Sequence, residues 1–268
     1  MESSPDLVAA ADRNLIGSFR KLAGHVEGGA VRERDGVFAF RTGVPIALFN
    51  GCIVDRPSSV EQVRDALDWL GPDLPYEWWI REEMLEQFAG VVSDRGLESH
   101  DWLTPQMVLT PRMTIPGPGP GVSTQVVDDD ASLERFIGVF AAGGGDDTIT
   151  RRVFPPAFMN DPDVACITAT LHGRPAGTSV AIRTGNVAGV YAVGTLRDAR
   201  RRGVGTAATW AAVAAGRAMG AETIVLQSSA MGFPVYEAMG FRTVVRYAVF
   251  GETARRTGQE TPVPPSPQ

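Results

Sequence analysis

Arg197, Arg200, Arg201 and Arg202 crowd into one loop that runs directly into Gly203-Val204-Gly205. Guanidinium groups offer charge-assisted, bidentate contacts to anions. Glycines let a backbone approach a bulky phosphate with no side chain in between. The alanine-rich segment that begins at Val204 reads as a helix. A helix start adds unpaired backbone N–H groups and partial positive charge, so loop and helix together read as an anion cradle. The spacing is R-x-x-G-x-G, which is neither the G-x-x-x-x-G-K-[ST] of a nucleotide P-loop nor the G-x-G-x-x-G of a dinucleotide fold.

The elements that must position this cradle can be read on both sides of it. Residues 188–195, AGVYAVGT, have the apolar, β-branched and aromatic content of a strand that ends where the arginines begin. Downstream, TIVLQSS (223–229) is a further strand, and AMGFPVYEAMGF (230–241) holds a short helix with Tyr236 ahead of a Gly-Phe pair. Upstream, residues 122–127 read as a strand and 130–142 as a helix closed by Gly143-Gly144-Gly145. Residues 151–163 read as a loop holding Phe154 and Phe158, and 164–195 as three antiparallel strands turning at His172-Gly173-Arg174 and Gly185-Asn186.

Taken together, R-x-x-G-x-G after a strand and Tyr236 through Phe241 before the last strand resemble the pyrophosphate loop and closing signature of the GNAT superfamily of acyl-CoA-dependent N-acetyltransferases. The resemblance implies an α+β fold, a mixed and mostly antiparallel sheet with helices, and acetyl-CoA as acyl donor with no metal. It implies that Val193, Gly194 and Thr195 pair with the pantetheine arm. It puts the pyrophosphate on the backbone of Arg201, Arg202, Gly203, Val204, Gly205 and Thr206, with Arg200 or Arg202 reaching the phosphates. Ser228 and Ser229 stand where family members often carry asparagine, which makes that contact weaker by analogy. Tyr236 matches the tyrosine that protonates the departing thiolate in many members. The chemistry so implied is direct attack of a neutral amine on the thioester carbonyl. The leaving thiolate, whose free thiol titrates at about 8.5, would take the phenol's proton. No general base is marked: His172 falls in a predicted turn, His100 in a polar loop, and Glu237 on the other side of its helix from Tyr236.

Residues 1–115 repeat the order of elements more weakly. A helix is expected over 5–24, a hairpin over 31–41 around Asp35-Gly36, and an apolar run over 45–55 interrupted by Asn50-Gly51. A helix over 58–70 with a serine cap, a strand at 77–80, a helix over 82–95 and a strand at 107–110 complete it. Trp78-Trp79-Ile80, helix, Arg95-Gly96-Leu97, strand parallels Ile224-Val225-Leu226, helix, Met239-Gly240-Phe241, strand. This half therefore looks like a degenerate copy of the acetyltransferase fold, the alternative being an unrelated α+β cap. Where the copy should carry its loop stands Asp55-Arg56-Pro57-Ser58-Ser59, with an acid and no glycine, so one acyl-CoA per chain is expected. The alternating IPGPGPGV (115–122) places a linker at 116–121. The expected organisation is a degenerate N-terminal domain (1–115), that linker, a catalytic domain (122–250) and a disordered tail (251–268). Two-copy members of the superfamily take the acceptor in the cleft between halves. That puts Asn50, Trp78, Trp79, Phe154 and Phe158 forward as walls and favours a small-molecule amine over a protein lysine. His25, in a glycine-rich turn, reads as a surface residue.

The net charge of −6 argues against a nucleic-acid partner, whose phosphates demand a basic surface. Hydrophobic content of 44% with 21% charged residues suits a globular protein. Cys52 and Cys166 are isolated in apolar runs, with neither metal-ligand nor disulfide spacing. No 18-residue apolar run and no signal-peptide pattern occur, so a cytoplasmic protein without a membrane partner is expected, as a monomer or homodimer. A non-catalytic acyl-CoA sensing module, a longer-chain acyltransferase and a decarboxylase on the same scaffold are the competing expectations.

Overall fold

The computed structural model describes residues 5–109, 114–144 and 146–251. The first half contains α1 (Pro5–His25), β1 (Ala30–Arg34), β2 (Val37–Arg41), β3 (Asn50–Val54), α2 (Val60–Leu70), β4 (Glu77–Arg81), α3 (Leu85–Arg95), β5 (Glu98–Ser99) and β6 (Thr104–Leu109). The second contains β7 (Val122–Val126), α4 (Asp130–Ala142), α5 (Asp147–Val153), α6 (Pro156–Met159), β8 (Val164–Leu171), β9 (Arg174–Thr184) and β10 (Val187–Thr195). It ends with α7 (Val204–Ala218), β11 (Thr223–Gln227), α8 (Phe233–Ala238) and β12 (Arg242–Gly251). Asp35 and Gly36 take φ 41 and 88 to close the β1–β2 hairpin, as their types predict.

The strands form one mixed, mostly antiparallel sheet in the order β1-β2-β3-β4-β12-β6-β11-β10-β9-β8-β7, with β5 added against β12. Each half holds one parallel pair, β3 with β4 and β10 with β11. At the centre the halves exchange strands. β12, the last strand of the second half, pairs with β4 of the first, while β6, the last strand of the first half, pairs with β11 of the second. β6 and β12 pair with each other between them. Neither half completes its sheet alone.

The core follows this exchange. One cluster brings Leu15 of α1, Phe40 of β2 and Trp79 of β4 together with Phe136 of α4, Phe158 of α6 and Tyr247 of β12. α2 and α3 cover a second cluster, and α7 covers two more. Lys21 and His25 at the end of α1 reach across to Asp161 at 2.8 and 2.9 Å. His25 is thus half-buried in an ion-paired cluster, edge-on to Phe158, and not on the open surface its turn suggested.

Two further expectations are corrected. Residues 151–163 form the end of α5 and all of α6, because Pro156 stands at the first position of a helix, where its missing N–H costs nothing. Asn50 and Gly51 do not interrupt the apolar run but begin β3. Asn50 is tolerated there because its amide accepts from the Thr42 N–H at 2.9 Å and donates to the carbonyls of Val44, Ile46 and Pro75. The expected tail lies outside the described residues beyond Gly251, which closes β12.

Candidate functional site

The cradle forms where β10 outruns β11. The two strands pair only from Val187↔Thr223 to Gly189↔Val225, after which β10 continues to Thr195 with β9 alone beside it. A bulge between Tyr191 and Gly194 turns the strand. Ala192 is held there at φ 50, its carbonyl accepting from Thr178 Oγ1 at 2.9 Å. Val193, Gly194 and Thr195 follow, each half-buried, on an edge that no described strand pairs with on the β11 side.

After a 3-10 turn at Arg197–Ala199 the chain takes two left-handed residues, Arg201 at φ 60 and Gly203 at φ 79, and enters α7 at Val204. No side chain caps this helix, so its first N–H groups are left for an outside partner. A Cβ on Gly203 would meet nothing within 4 Å, so the space ahead of the helix is open. A Cβ on Gly205 would lie 3.0 Å from Thr195 Oγ1, which shows how closely the strand end and the helix start approach. Val204 is buried beneath α7, while Gly205 and Thr206 remain partly accessible.

All four arginines of the loop are exposed. Asp198, its acidic member, is already paired with Arg174 at 2.5 Å, and the hydrogen bond holds its carboxyl below the usual range. Arg200 Nε donates to the Thr195 carbonyl at 3.3 Å, tying the loop back to the strand.

Tyr236 sits half-buried on α8, with its ring 6.0 Å from that of Phe241 and edge-on to it. Burial raises the phenol above its ordinary value, opposed by a hydrogen bond with the Thr209 side chain, so it keeps its proton at neutral pH. Thr209 lies on α7 one turn past Gly205, to whose carbonyl its hydroxyl donates at 2.9 Å. The tyrosine and the glycine loop therefore meet at this residue. Between α7 and α8 lies a cavity of about 600 Å³ lined by Thr206, Trp210, Pro234, Val235, Met239 and Pro116. Ser228 is fully buried with its hydroxyl donating to the Ser229 carbonyl, and Ser229 Oγ accepts from the Gly232 N–H at 3.2 Å. Both serine hydroxyls are engaged at the start of α8.

Asn50, Trp78, Trp79, Phe154 and Phe158 are all buried in the core and do not line an open acceptor cleft. The aromatic rings there pack against one another, as Phe154 does edge-on against Phe136 at 5.2 Å. Sequence reasoning missed Thr209, whose signal was a threonine four residues past Gly205 in an alanine-rich helix.

Residues 136–241, which span the split strands, the loop, α7 and α8, match the Acetyltransferase (GNAT) family. The match lies in the second half, and the fold of the whole chain, with two GNAT-like halves, is similar to those of solved GNAT proteins. Its fold is similar to a GCN5-related N-acetyltransferase from Kribbella flavida, at 18% identity and TM-score 0.67, covering 91% of this chain and 94% of the other. A GCN5-related N-acetyltransferase from Sphaerobacter thermophilus gives 15% identity and TM-score 0.56, covering 81% and 76%. A tandem GNAT protein from the clavulanic acid biosynthesis pathway gives 13% identity and TM-score 0.55, covering 94% and 96%. No curated protein sequence matches the chain. The match over residues 136–241 supports an acetyltransferase in general terms. Among the described residues no helix is long and apolar enough to cross a membrane, and no three His, Cys, Asp or Glu side chains cluster to hold a metal.

Proposed function

We propose that this protein transfers an acetyl group from acetyl-CoA to the primary amine of a small molecule, with Tyr236 as general acid. The observation that carries the reading is the uncapped start of α7, with Gly203 open to solvent, placed beside the diverging edge of β10. The N–H groups of that first turn and the exposed arginines suit a pyrophosphate. The edge at Val193–Thr195 suits the amides of a pantetheine arm, which would run toward Tyr236.

The neutral amine attacks the thioester carbonyl, a tetrahedral intermediate forms, and the C–S bond breaks. The departing thiolate takes its proton from the Tyr236 phenol, which burial keeps protonated until that moment, while the attacking nitrogen gives up its extra proton to solvent, from which the phenolate is reprotonated. A screen of primary amines with acetyl-CoA tests this directly. Turnover that falls steeply in Tyr236→Phe while acetyl-CoA still binds supports the enzyme. Binding without turnover of any amine supports instead a sensing module, a reading favoured by one observation: the aromatic walls expected of an acceptor cleft are packed in the core. Faster transfer to intact proteins than to free amines would exclude the small-molecule acceptor.

A further inference from the structure

Asp12 of α1 is buried, and donors from three strands converge on its carboxylate. Gln106 Nε2 on β6 and the Tyr247 hydroxyl on β12 donate to Oδ1 at 2.6 and 2.8 Å, and Arg81 on β4 donates to Oδ2. A carboxylate accepts only, so the Gln106 amide has a single orientation, with its NH₂ toward Asp12 and its oxygen away. That oxygen accepts from Gln227 Nε2 at 2.8 Å, which orients a second amide in turn. Gln106 is fully buried, whereas Gln227 is the half-buried last residue of β11.

The parallel register that pairs Gly189 with Val225 would set Gln227 opposite Tyr191, at the point where β10 has swung away. The Tyr191 hydroxyl is already used, donating to Asn14 Oδ1 at 2.8 Å. The chain of amides thus starts at a buried charge in the first half and ends at the mouth of the split strands in the second. A free glutamine could turn either its oxygen or its NH₂ to a ligand. Gln227 gives one of its two N–H groups to Gln106, which fixes the sense of the amide and leaves its oxygen on the other side.

We propose that Gln227 Oε1 receives an N–H of the acceptor amine at the opening between β10 and β11, and that Asp12 and Gln106 are positioning residues that hold it as an acceptor. The inference rests on the acetyltransferase reading above. It assigns the site to nucleophiles that donate a hydrogen bond. It also gives the first half a part in recognition without a ligand of its own.

Hydroxylamine, the smallest primary-amine nucleophile, serves as the probe, with acetyl-CoA and the full-length protein. Gln227→Leu is expected to raise the KM for hydroxylamine about tenfold, the worth of one hydrogen bond, with the calorimetric affinity for acetyl-CoA unchanged. Asp12→Asn/Arg81→Gln removes both buried charges together and frees Gln106 to turn over. It is expected to raise the same KM about threefold, a partial loss of that bond, and to add nothing in a Gln227→Leu background. Hydrogen exchange of the ¹⁵N-labelled glutamine side chains gives a readout independent of turnover: the Gln106 and Gln227 NH₂ groups are protected in the wild type and lose protection in the double variant. Additive effects in the combined variant, an unchanged KM in Gln227→Leu, or equal exchange in both proteins overturns the proposal and leaves the acetyltransferase reading standing. A wild-type protein that binds no acetyl-CoA, or binds it and forms no hydroxamate, overturns that reading and this proposal with it.

Discussion

Helices α2 and α7 start at equivalent places in the two halves and are finished in opposite ways. At α2, Ser59 Oγ accepts from the Gln62 N–H at 3.2 Å and Gln62 Oε1 accepts from the Ser59 N–H at 2.8 Å, a reciprocal cap that satisfies the helix from within. At α7, Gly203 leaves the same groups free. The strands before them differ likewise. β3 is paired with β4 to its last residue, Val54↔Ile80, whereas β10 runs on past its last partner on β11 and presents an open edge. Aligning the left-handed glycines Gly96 and Gly240 puts Val92 where α8 has Tyr236. At these equivalent places the first half has a paired strand end, a capped helix start and a valine where the second has an open edge, an uncapped start and a phenol. The anion site proposed here rests as much on the cap that is omitted as on the arginines that are present.

The comparison can be broken or sharpened experimentally. The largest effect is expected at the buried carboxylate of the first half. Arg81→Met leaves the Asp12 carboxylate buried and unpaired and should cost about 3–5 kcal/mol in urea denaturation, a value that a small loss would contradict. Tyr236→Phe should lower kcat about 10²–10³-fold, the range of a lost general acid, with no change in acetyl-CoA affinity. Its counterpart Val92→Ala should leave kcat alone.

The contact between halves at Asp161 comes next. Partial burial would raise this carboxyl, but hydrogen bonds from Lys21, His25 and the Asp163 N–H outweigh it and take it to about 2. A depressed carboxyl stabilises the fold above its unfolded value of about 3.9 and loses that contribution as pH falls toward 2. Urea melts of the wild type should weaken by roughly 2 kcal/mol over that window, and Asp161→Asn should flatten the dependence. The smallest effect is Ser59→Ala, expected to cost about 1 kcal/mol of stability without altering acetyl-CoA affinity, since that cap closes a helix start that binds nothing. A gain of a second acetyl-CoA in this variant would show that the cap alone silences the first half.

What the residues announced and what they concealed divide by range. The hairpin at Asp35-Gly36, the Ser59 cap and the glycine loop at 203–205 are local, so each was legible from neighbouring residue types. Pro155-Pro156 misled because two prolines read as a break, while the second opens α6. Asn50 misled because its satisfaction depends on Pro75, which is distant in sequence. The exchange of β6 and β12 could not be seen at all. Nothing in the local sequence of either strand specifies which half it joins. The same holds for Gln106 and Gln227, whose amides have meaning only once Asp12 lies between the halves.

The central claim is that one half holds acyl-CoA and the other does not, and a calorimetric titration of acetyl-CoA tests it most directly. The wild type should bind one molecule per chain. Gly203→Glu, which puts a side chain and a negative charge into the open space before α7, should bind none while its circular dichroism stays that of the wild type. Two molecules bound per chain, or a folded Gly203→Glu protein that still binds one, would contradict the assignment of the site to the start of α7.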